Sequence, residues 1–499
     1  MGMFLGPMAA AALLCAWWLF ASRLRWSDRF LGVLAFAAAG AAAFPLFHSS
    51  FGAWGMMLYA LPAVTTAWVA WLLITVGLRW PIRRAGLFVV FLLAWGYFDL
   101  LRFDGADGSL AGSLAYRWIP TAEDNFQREL ASRKPEASPA IDLSTAEPPV
   151  LRPGDWSGFR GPNRDGRLTG VKIATNWSQH PPRELWRRKV GPGWSSFAVV
   201  GTRLYTQEQW GTDEVVICYH ADTGAEIWIH RHPARFTEPV GGPGPRATPT
   251  FHEGTIYAQG ANGRLDCLDA ATGEEIWSRD IAADSSAKVP TWGFASSPLI
   301  VDGVVTVFAG GEGGKSVLGY DARSGDLVWS AGEGKQSYCS LQLASLDGVE
   351  QLLIATDAGV TAFEPAGGRI LWEHEWPTEQ MARVVQPAVL SDSDVLIGTG
   401  FGFGARRLHV AHEGDDWKAE ALWTTTAIKP YFNDLVIHDG HLYGFDSYFF
   451  TCVNLDGGKK KWRVRGYGNG EVLLLADQNL LLVLSETGEV ALVEASPAA

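Results

Sequence analysis

The first hundred residues alternate between long apolar runs and short loops that contain arginine. The apolar runs cover residues 3–22, 30–47, 55–78 and 82–101. Each run is close to the roughly 20 apolar residues that a helix needs to cross a hydrocarbon core about 30 Å thick. No Lys or Arg precedes the first run, which favours a membrane span over a cleaved signal peptide. The pattern predicts a bundle of four transmembrane helices over residues 1–103.

The arginines of this region predict its orientation. They lie in the loop between the first and second runs and in the loop between the third and fourth: Arg23, Arg25, Arg29, Arg79, Arg83 and Arg84. Positively charged loops stay on the cytoplasmic side of a membrane. We therefore expect a multi-pass protein of the cytoplasmic membrane, with the lipid bilayer as a partner and the C-terminal region facing the periplasm.

A change of composition separates this region from the rest of the chain. Residues 104–154 include PEASPAIDLSTAEPPVLRPGDW, which is rich in Pro, Ala, Ser and Glu and is typical of a linker. Within it, WIPTAEDNFQREL at residues 118–130 predicts one short helix with Thr121 as its N-cap. We expect an extracytoplasmic linker that leads to a separate domain over residues 155–499.

That C-terminal domain contains a repeated segment. Five copies align without gaps: CYHADTGAEIW at 218–228, CLDAATGEEIW at 267–277, GYDARSGDLVW at 319–329, AFEPAGGRILW at 362–372 and CVNLDGGKKKW at 452–462. Each copy predicts a strand, a polar residue, a tight turn with Gly four residues before the Trp, and a new strand that carries the Trp. The indole ring is large enough to fill the space between neighbouring sheets.

Two weaker copies bring the number of tryptophan anchors to seven. The anchors lie 39 to 52 residues apart: Trp186, Trp228, Trp277, Trp329, Trp372, Trp423 and Trp462. This spacing predicts an all-β propeller of four-stranded antiparallel blades. Seven blades are favoured, and eight remain the alternative if the chain continues. The C-terminal segment supplies three strands of the last blade, and we expect a strand around Trp186 to complete it.

The cysteines and histidines predict no metal site. Cys218, Cys267 and Cys452 occupy the same position of the repeat, so they should lie too far apart for disulfides, which need Cα atoms within about 7 Å. We interpret them as small buried side chains. The sequence contains no C-x-x-C-H motif and no H-x-x-x-H pattern, which argues against covalent haem and a helical zinc site.

A ligand site is expected where the inner strands of a propeller begin, because these positions converge on one mouth of the axial channel. The repeat places the following residues there: Trp194, Ser196, Arg246, Thr248, Trp292, Ser296, Tyr338, Ser340, Arg383, Gln386, Lys429, Tyr431, Asn433 and Asn469. The structural alternative is that the aromatic rings plug the channel while the polar groups bond to backbone. If the three cations form one cluster, they would attract an anionic ligand such as a carboxylated quinone or a peptide carboxylate.

Charge and motifs exclude other partners. Residues 1–103 carry seven Arg and two Asp, a net charge of +5. Because the whole chain has a net charge of −12, residues 104–499 have a net charge of −17. An acidic domain argues against nucleic acid as a partner. AGGEGGKS at 309–316 is similar to a phosphate-binding loop, but a strand and the repeat turn follow it. We therefore predict a β-hairpin and no nucleotide site.

The DAATGEEIW-type repeat resembles that of the PQQ-like (pyrroloquinoline-quinone) β-propeller superfamily. DWSGFRGPNRDG at residues 155–166 is similar to the opening segment of a bacterial subgroup. The superfamily includes non-catalytic members, such as the outer-membrane protein assembly propeller, and more remotely related membrane-bound quinoprotein dehydrogenases. The resemblance implies a propeller over about residues 155–495, with either a binding or a dehydrogenase function.

Two functions agree with these features of the sequence. The short connections between strands, the lack of an adjacent-cysteine pair and the lack of a recognisable catalytic residue favour a membrane-anchored module that binds proteins of the cell envelope. The alternative is a dehydrogenase that uses PQQ and Ca²⁺ to pass electrons from a sugar or an alcohol to membrane quinone. The repeat family and the expected basic mouth motivate this alternative.

Overall fold

The computed structural model describes residues 2–108, 111–133, 148–379 and 381–498. The chain forms two compact units, Met1–Asn125 with Glu238–Gly242, and Phe126–Thr237 with Pro243–Ala499. Residues 134–147 of the predicted linker lie outside the described residues.

The first unit is largely helical. Its helices are α1 (Gly2–Phe20), α2 (Trp26–Ala43), α3 (Gly52–Gly55), α4 (Leu61–Ile74) and α5 (Trp80–Phe98), and a π-helical turn at Met56–Ala60 joins α3 to α4. Three stretches in the described residues are long and apolar enough to cross a membrane: Trp26–Leu46, Gly52–Ile74 and Trp80–Phe98. The first helix contributes a shorter apolar stretch, Gly6–Phe20.

Aromatic rings fill the interior of this unit. Trp68 lies at the centre, with its ring 5.0 Å from those of Trp18 and Phe91 and 5.4 Å from that of Phe36. A Cβ on Gly32 would lie 2.9 Å from the Trp18 indole nitrogen. The missing side chain therefore lets α2 approach the ring closely, which explains a glycine inside a helix.

Part of the predicted linker is ordered. Strands β1 (Leu101–Ala106) and β2 (Gly112–Tyr116) form an antiparallel hairpin, and α6 spans Ala122–Ser132. The backbone N–H of Asp124 donates to Thr121 Oγ1 at 2.9 Å, while the N–H of Thr121 donates to Asp124 Oδ2 at 2.8 Å. This reciprocal cap confirms Thr121 as the N-cap. The hairpin, which composition did not predict, is held by backbone pairing and by Leu101, Phe103 and Leu114, which pack on the apolar core of the helical unit.

The described part of the second unit contains seven four-stranded sheets, numbered here along the chain. The first sheet contains β4 (Ala198–Val200), β5 (Arg203–Trp210), β6 (Asp213–His220) and β7 (Glu226–Pro233). After a short pair, β8 (Thr237–Glu238) and β9 (Gly242–Pro243), the second contains β10 (Thr250–His252), β11 (Thr255–Gln259), β12 (Arg264–Asp269) and β13 (Glu275–Asp280), followed by α7 (Ile281–Ser285).

The third to sixth sheets repeat this order. The third contains β14 (Leu299–Val301), β15 (Val304–Gly311), β16 (Lys315–Asp321) and β17 (Leu327–Ala331); the fourth contains β18 (Gln342–Leu346), β19 (Val349–Ala355), β20 (Gly359–Phe363) and β21 (Ile370–Glu375). The fifth contains β22 (Ala388–Val389), β23 (Asp394–Thr399), β24 (Gly404–Glu413) and β25 (Asp416–Thr425); the sixth contains β26 (Val436–His438), β27 (His441–Asp446), β28 (Phe449–Asn454) and β29 (Lys460–Val464).

The seventh sheet combines the two ends of the domain. It contains β3 (Arg167–Leu168), β30 (Glu471–Leu475), β31 (Leu480–Leu484) and β32 (Val490–Glu494). The three C-terminal strands are as predicted, but the prediction that a strand around Trp186 completes this sheet is wrong. Instead, β3 pairs in parallel with β30, on the inner side of the sheet. Residues near Trp186 form no strand, because their indole anchor docks on the first sheet.

Successive sheets are joined by the tryptophan anchors. Trp277 Nε1 of the second sheet donates to the carbonyl oxygen of Ala322, in the β16–β17 turn of the third sheet, at 3.0 Å. The equivalent bonds between sheets are Trp228 to Ala270, Trp329 to Pro365, Trp423 to Leu455 and Trp462 to Ser496, at 2.9 to 3.1 Å. Trp186, which precedes the first sheet, donates to the carbonyl oxygen of Ala221 in that sheet at 2.7 Å. Trp372 differs, since its Nε1 donates to Gln351 Oε1 of its own sheet at 2.7 Å.

The repeated glycine is explained by the same contact. Gly325 has a φ of +73°, and a Cβ there would lie 2.6 Å from the ring of Trp277. Gly224, Gly273, Gly368 and Gly458 meet the preceding anchor in the same way. Glycine thus satisfies two demands at once, a left-handed backbone and room for an indole ring.

Each of the six anchors that lie in a strand follows a β-bulge. In the second sheet Cys267 pairs with Trp277 and Leu268 with Glu275, so that Ile276 is the extra residue. The same irregularity precedes the anchors of the first six sheets. The bulge leaves Ile276 exposed while its neighbour Trp277 points inward. The register also places Cys218, Cys267 and Cys452 directly opposite an anchor, which confirms them as small buried side chains.

The loop at 309–316 is a hairpin, as predicted. Strands β15 and β16 enter and leave it, and Gly313 and Gly314 both have positive φ. No helix begins there, so its amides are not arranged as in a phosphate-binding loop.

Replacing Gly325 with Ala tests the anchor contact. Gly303, in the same sheet, also has positive φ, but a Cβ there would meet nothing within 4 Å. We expect Gly303→Ala to lower the free energy of unfolding by about 1–2 kcal/mol, the backbone cost alone. Gly325→Ala should cost about 1–3 kcal/mol more, because the Trp277 ring must move. Chemical denaturation of the full chain in detergent measures both, and equal losses would contradict the contact.

Candidate functional site

The polar residues predicted at the channel mouth link neighbouring sheets. The backbone N–H of Ser196 donates to Thr248 Oγ1 at 3.0 Å, and the N–H of Thr248 donates to Ser297 Oγ at 2.9 Å. The N–H of Ser297 in turn donates to Ser340 Oγ at 2.8 Å. Ser296 Oγ accepts from the backbone of Phe308. This chain of bonds joins the first four sheets at the start of their inner strands.

A second set of bonds continues the pattern in the later sheets. The Gln386 backbone N–H donates to Asp434 Oδ1 at 2.8 Å, and Asn433 Nδ2 donates to the carbonyl oxygen of Gly470 at 2.6 Å. The backbone N–H of Asn469 donates to Glu486 Oε2 at 3.2 Å. Burial raises the pKa of Asp434, although the guanidinium of Arg160 opposes this shift. These contacts support the structural alternative for the polar groups, because the Asn433 side chain and the backbone of Gln386 and Asn469 bond to protein.

The expected cluster of three exposed cations is not formed. Arg383 is fully buried, and its guanidinium donates to the carbonyl oxygens of Thr356 and Trp376. Burial lowers its pKa to about 10. Lys429 Nζ lies 2.8 Å from Asp446 Oδ1. The prediction failed because the chain carries Arg383 into a gap beside the fourth sheet, where backbone oxygens replace an anionic ligand.

Arg246 takes a different position. Its Nε donates to the carbonyl oxygen of Trp292 at 3.3 Å, and its guanidinium lies 5.2 Å from the ring centre of Phe236. The residue therefore lies against aromatic rings.

The aromatic residues of the mouth remain partly exposed. The exposed fractions are 64% for Trp194 and 38% for Trp292, and the Trp292 ring packs 5.3 Å from that of Tyr338. Phe401 and Phe432, which the sequence did not single out, flank Tyr431 with ring centres 4.6 and 3.9 Å away. Their exposed fractions are 44% and 39%. We call Trp194, Trp292, Tyr338, Phe401, Tyr431 and Phe432 the aromatic rim.

The segment of residues 155–168, called here the plug, crosses the inner strands. Trp156 pairs with Val199 of the first sheet, and Arg160 Nη2 donates to the Leu435 carbonyl oxygen of the sixth sheet at 2.6 Å. The plug ends as β3 in the seventh sheet. The sequence identified this segment by resemblance but did not predict its place.

Arg164 is a buried residue of the plug. Its guanidinium donates to the carbonyl oxygens of Ser297, Pro298 and Leu341, which belong to the third and fourth sheets. Burial lowers the pKa of Arg164 to about 9, which still leaves it charged at neutral pH. A buried cation that loses its hydrogen bonds is costly in free energy. The bonds to these carbonyl oxygens therefore hold the plug against the inner strands.

A surface groove of about 1110 Å³ lies beside the outer strand of the first sheet. Its charged residues pair with one another: Arg133 Nη1 lies 2.7 Å from Glu226 Oε1, and Lys189 Nζ lies 3.0 Å from Glu129 Oε2. Phe126 of α6 packs on Trp210 with ring centres 5.8 Å apart. Helix α6 and these pairs shield the edge of the first sheet.

Comparison with known families decides the identity of the repeats. A family profile described as "Outer membrane protein assembly factor BamB" matches residues 178–280 and 212–464, which together span more than half of the chain. The chain belongs to this PQQ-like repeat family. The first six sheets and the seven tryptophan anchors lie within the matched residues.

Individual relatives match over a shorter span. The BamB proteins of Salmonella typhimurium (strain LT2) and Escherichia coli (strain K12) are 27% and 26% identical over 162 and 159 residues. Each match covers 32% of this chain and 38% of the relative's length. The chain thus spans well under half of these curated relatives.

Two solved structures are similar at a low level. A europium-containing methanol dehydrogenase has a TM-score of 0.38 and 12% identity, and the match covers 69% of this chain and 90% of that one. BamB from Moraxella catarrhalis has a TM-score of 0.30 and 18% identity, with 53% and 79% covered. At these scores neither structure indicates what this member of the PQQ-like repeat family does.

Asp434→Asn tests the electrostatics of the mouth. Because burial raises the pKa of Asp434, the folded chain keeps its proton at pH values where the unfolded chain has lost it. Stability should therefore fall as the pH rises from about 4 until Asp434 itself ionises, by at most about 1.4 kcal/mol per pH unit. Asn imitates the protonated acid, so the stability of Asp434→Asn relative to the wild type should increase over that range.

The measurement is denaturant unfolding of the full chain at a series of pH values. Asp392→Asn is the matched control, since Asp392 is an exposed acid on a loop of the fifth sheet. If the stability of both variants depended on pH in the same way, the raised pKa assigned to Asp434 would be contradicted.

Proposed function

We propose that this protein is a membrane-anchored, extracytoplasmic β-propeller that binds proteins of the cell envelope through its aromatic rim. In this proposal the seven sheets are the blades of one closed ring. The helical unit anchors the ring as a four-helix bundle in the cytoplasmic membrane, with the propeller in the periplasm. The family profile, which describes an outer membrane protein assembly factor, supports a partner among envelope proteins.

The aromatic rim carries the proposal. Exposed rings of this size are the side chains that protein interfaces use as anchors. The polar groups beside them, such as Ser196, Thr248 and Asn433, are bonded to neighbouring sheets. A face with exposed aromatic rings, whose neighbouring polar groups already have hydrogen-bond partners, suits a protein surface better than a small polar ligand.

The closed ring and the membrane topology are supported by separate observations. The plug pairs with both the first and the seventh sheet, which would bring the two ends of the domain together. Three helices are long and apolar enough to span a membrane. If the shorter Gly6–Phe20 stretch is a fourth span, an even number of crossings places both ends of the bundle on the same side. The arginine-rich loops favour the outer side for these ends.

Site-specific photo-crosslinking in cells tests the rim. A photoreactive amino acid at Trp194 or Phe432 should give defined crosslinks to envelope proteins, because both side chains are exposed on the rim. The matched control is Arg323, an exposed residue in the β16–β17 turn. The β15–β16 register places this turn at the end of the third sheet opposite the mouth, since Asp321 pairs with Val304.

The rim assignment would be wrong if Arg323 captured the same partners as the rim positions. It would also be wrong if Trp194 and Phe432 captured none while the protein was folded and present at normal levels.

The dehydrogenase is the second candidate, because the family has a PQQ-like repeat. The residues at the mouth do not fit the cofactor. A tricarboxylated quinone needs cationic partners, and Arg383 and Lys429 are already bonded to protein oxygens. Arg164 occupies the inner ends of the third and fourth sheets with its guanidinium. These contacts favour the binding function.

Adding PQQ and Ca²⁺ to the purified full chain tests the second candidate. We expect no stoichiometric change in the absorbance of PQQ and no dye-linked oxidation of sugars or alcohols. A known quinoprotein dehydrogenase serves as the positive control. Cofactor uptake of one equivalent with turnover would overturn the binding proposal.

A further inference from the structure

Two histidines face the same way from the outer strand of the first sheet. His230 and His232 lie two residues apart on β7, and side chains at this spacing share one face of a strand. Asp266 lies on β12 of the second sheet. One ligand atom from each of the three residues can be chosen so that all lie within 4.8 Å of one another. The cluster therefore spans the junction between the first two sheets.

The two imidazoles present buried nitrogens without hydrogen-bond partners. Among the described residues, His230 Nε2 and His232 Nδ1 are both buried and bond to no polar atom. His232 is 8% exposed and Asp266 is 1% exposed. Unsatisfied buried polar atoms are rare in folded proteins, so a pair of them facing a buried carboxylate calls for an explanation.

The carboxylate of Asp266 is held in position from one side. Arg264 Nε donates to Asp266 Oδ1 at 2.7 Å, while Asp266 Oδ2 lies 3.8 Å from His232 Nδ1. That distance is too long for a hydrogen bond. Arg264 thus orients one oxygen and leaves the other facing the imidazoles, as the outer partners of metal ligands do.

We propose that His230, His232 and Asp266 form a binding site for a divalent transition-metal ion of the zinc type. Two imidazole nitrogens and one carboxylate oxygen are a known ligand combination for Zn²⁺. Nitrogen ligands disfavour Ca²⁺ and Mg²⁺, which prefer oxygen. Bonds of about 2.0–2.2 Å in a tetrahedral site require the ligand atoms to move inward by small side-chain rotations.

A fourth ligand is at hand on the outer side of the cluster. Glu275 Oε2 lies 3.7 Å from His230 Nε2 and accepts a hydrogen bond from Arg264 Nη2 at 2.7 Å, and Glu275 is partly exposed. It can complete the tetrahedron or yield its place to water. Because β7 and β12 belong to different sheets, a bound ion would cross-link the first sheet to the second, in addition to the Trp228 anchor.

Metal binding by the full chain in detergent tests the proposal. The protein is purified without a polyhistidine tag, stripped with chelator, and titrated with Zn²⁺ and with Co²⁺, whose visible absorption reports tetrahedral coordination. We expect one equivalent of either ion to bind, with the Co²⁺ bands of a nitrogen and oxygen ligand set. Bound Zn²⁺ should also raise the thermal unfolding temperature.

Ligand variants decide the location. His232→Asn and Asp266→Asn should each remove the one equivalent and the Co²⁺ bands, while His252→Asn, which removes an imidazole of the second sheet outside the cluster, should keep both. His230→Asn provides an independent test on a less buried residue if His232→Asn fails to fold. The proposal is overturned if the wild type binds no equivalent, or if binding survives the loss of His230.

Discussion

The hydrogen bond from one indole to the turn of the next sheet is the interaction on which the domain depends. Flat contact between sheets is not directional, since apolar burial rewards any close packing. The bond from Trp277 to the Ala322 carbonyl oxygen adds direction and register. Gly325 permits the ring to lie on the turn, and the bulge at Ile276 turns the Trp inward. Repetition of this unit sets each sheet at a fixed place relative to the previous one.

The exceptions to this arrangement lie where the chain needs something else. Trp372 bonds within its own sheet, and the following sheet has the long hairpin of β24 and β25 in place of the tight repeat turn. At the ends of the domain, the plug replaces the regular strand order. Arg164 adds a polar link between the third and fourth sheets by donating to the carbonyl oxygens of Ser297, Pro298 and Leu341.

The polar and the aromatic residues of the predicted mouth differ in their exposure. The hydroxyl and amide groups of Thr248, Ser297 and Asn433 join adjacent inner strands. The aromatic rings beside these groups remain partly exposed, as Trp194 does. Residue type alone misled the assignment of Arg383, because only the surrounding structure shows that its guanidinium is buried against the carbonyl oxygens of Thr356 and Trp376.

The sequence by itself determined the apolar runs, the repeat, the anchors and the cap at Thr121, because each depends on residues close together in the chain. It also predicted the three C-terminal strands of the seventh sheet. Only the tertiary structure decided that β3 completes this sheet, that Arg383 is buried and that His230 and His232 meet Asp266. An H-x-H pattern on a strand was the signal for that cluster. Its third member, Asp266, comes from the next sheet. Local periodicity does not predict how sheets pack, and it is this packing that brings residues distant in the sequence together.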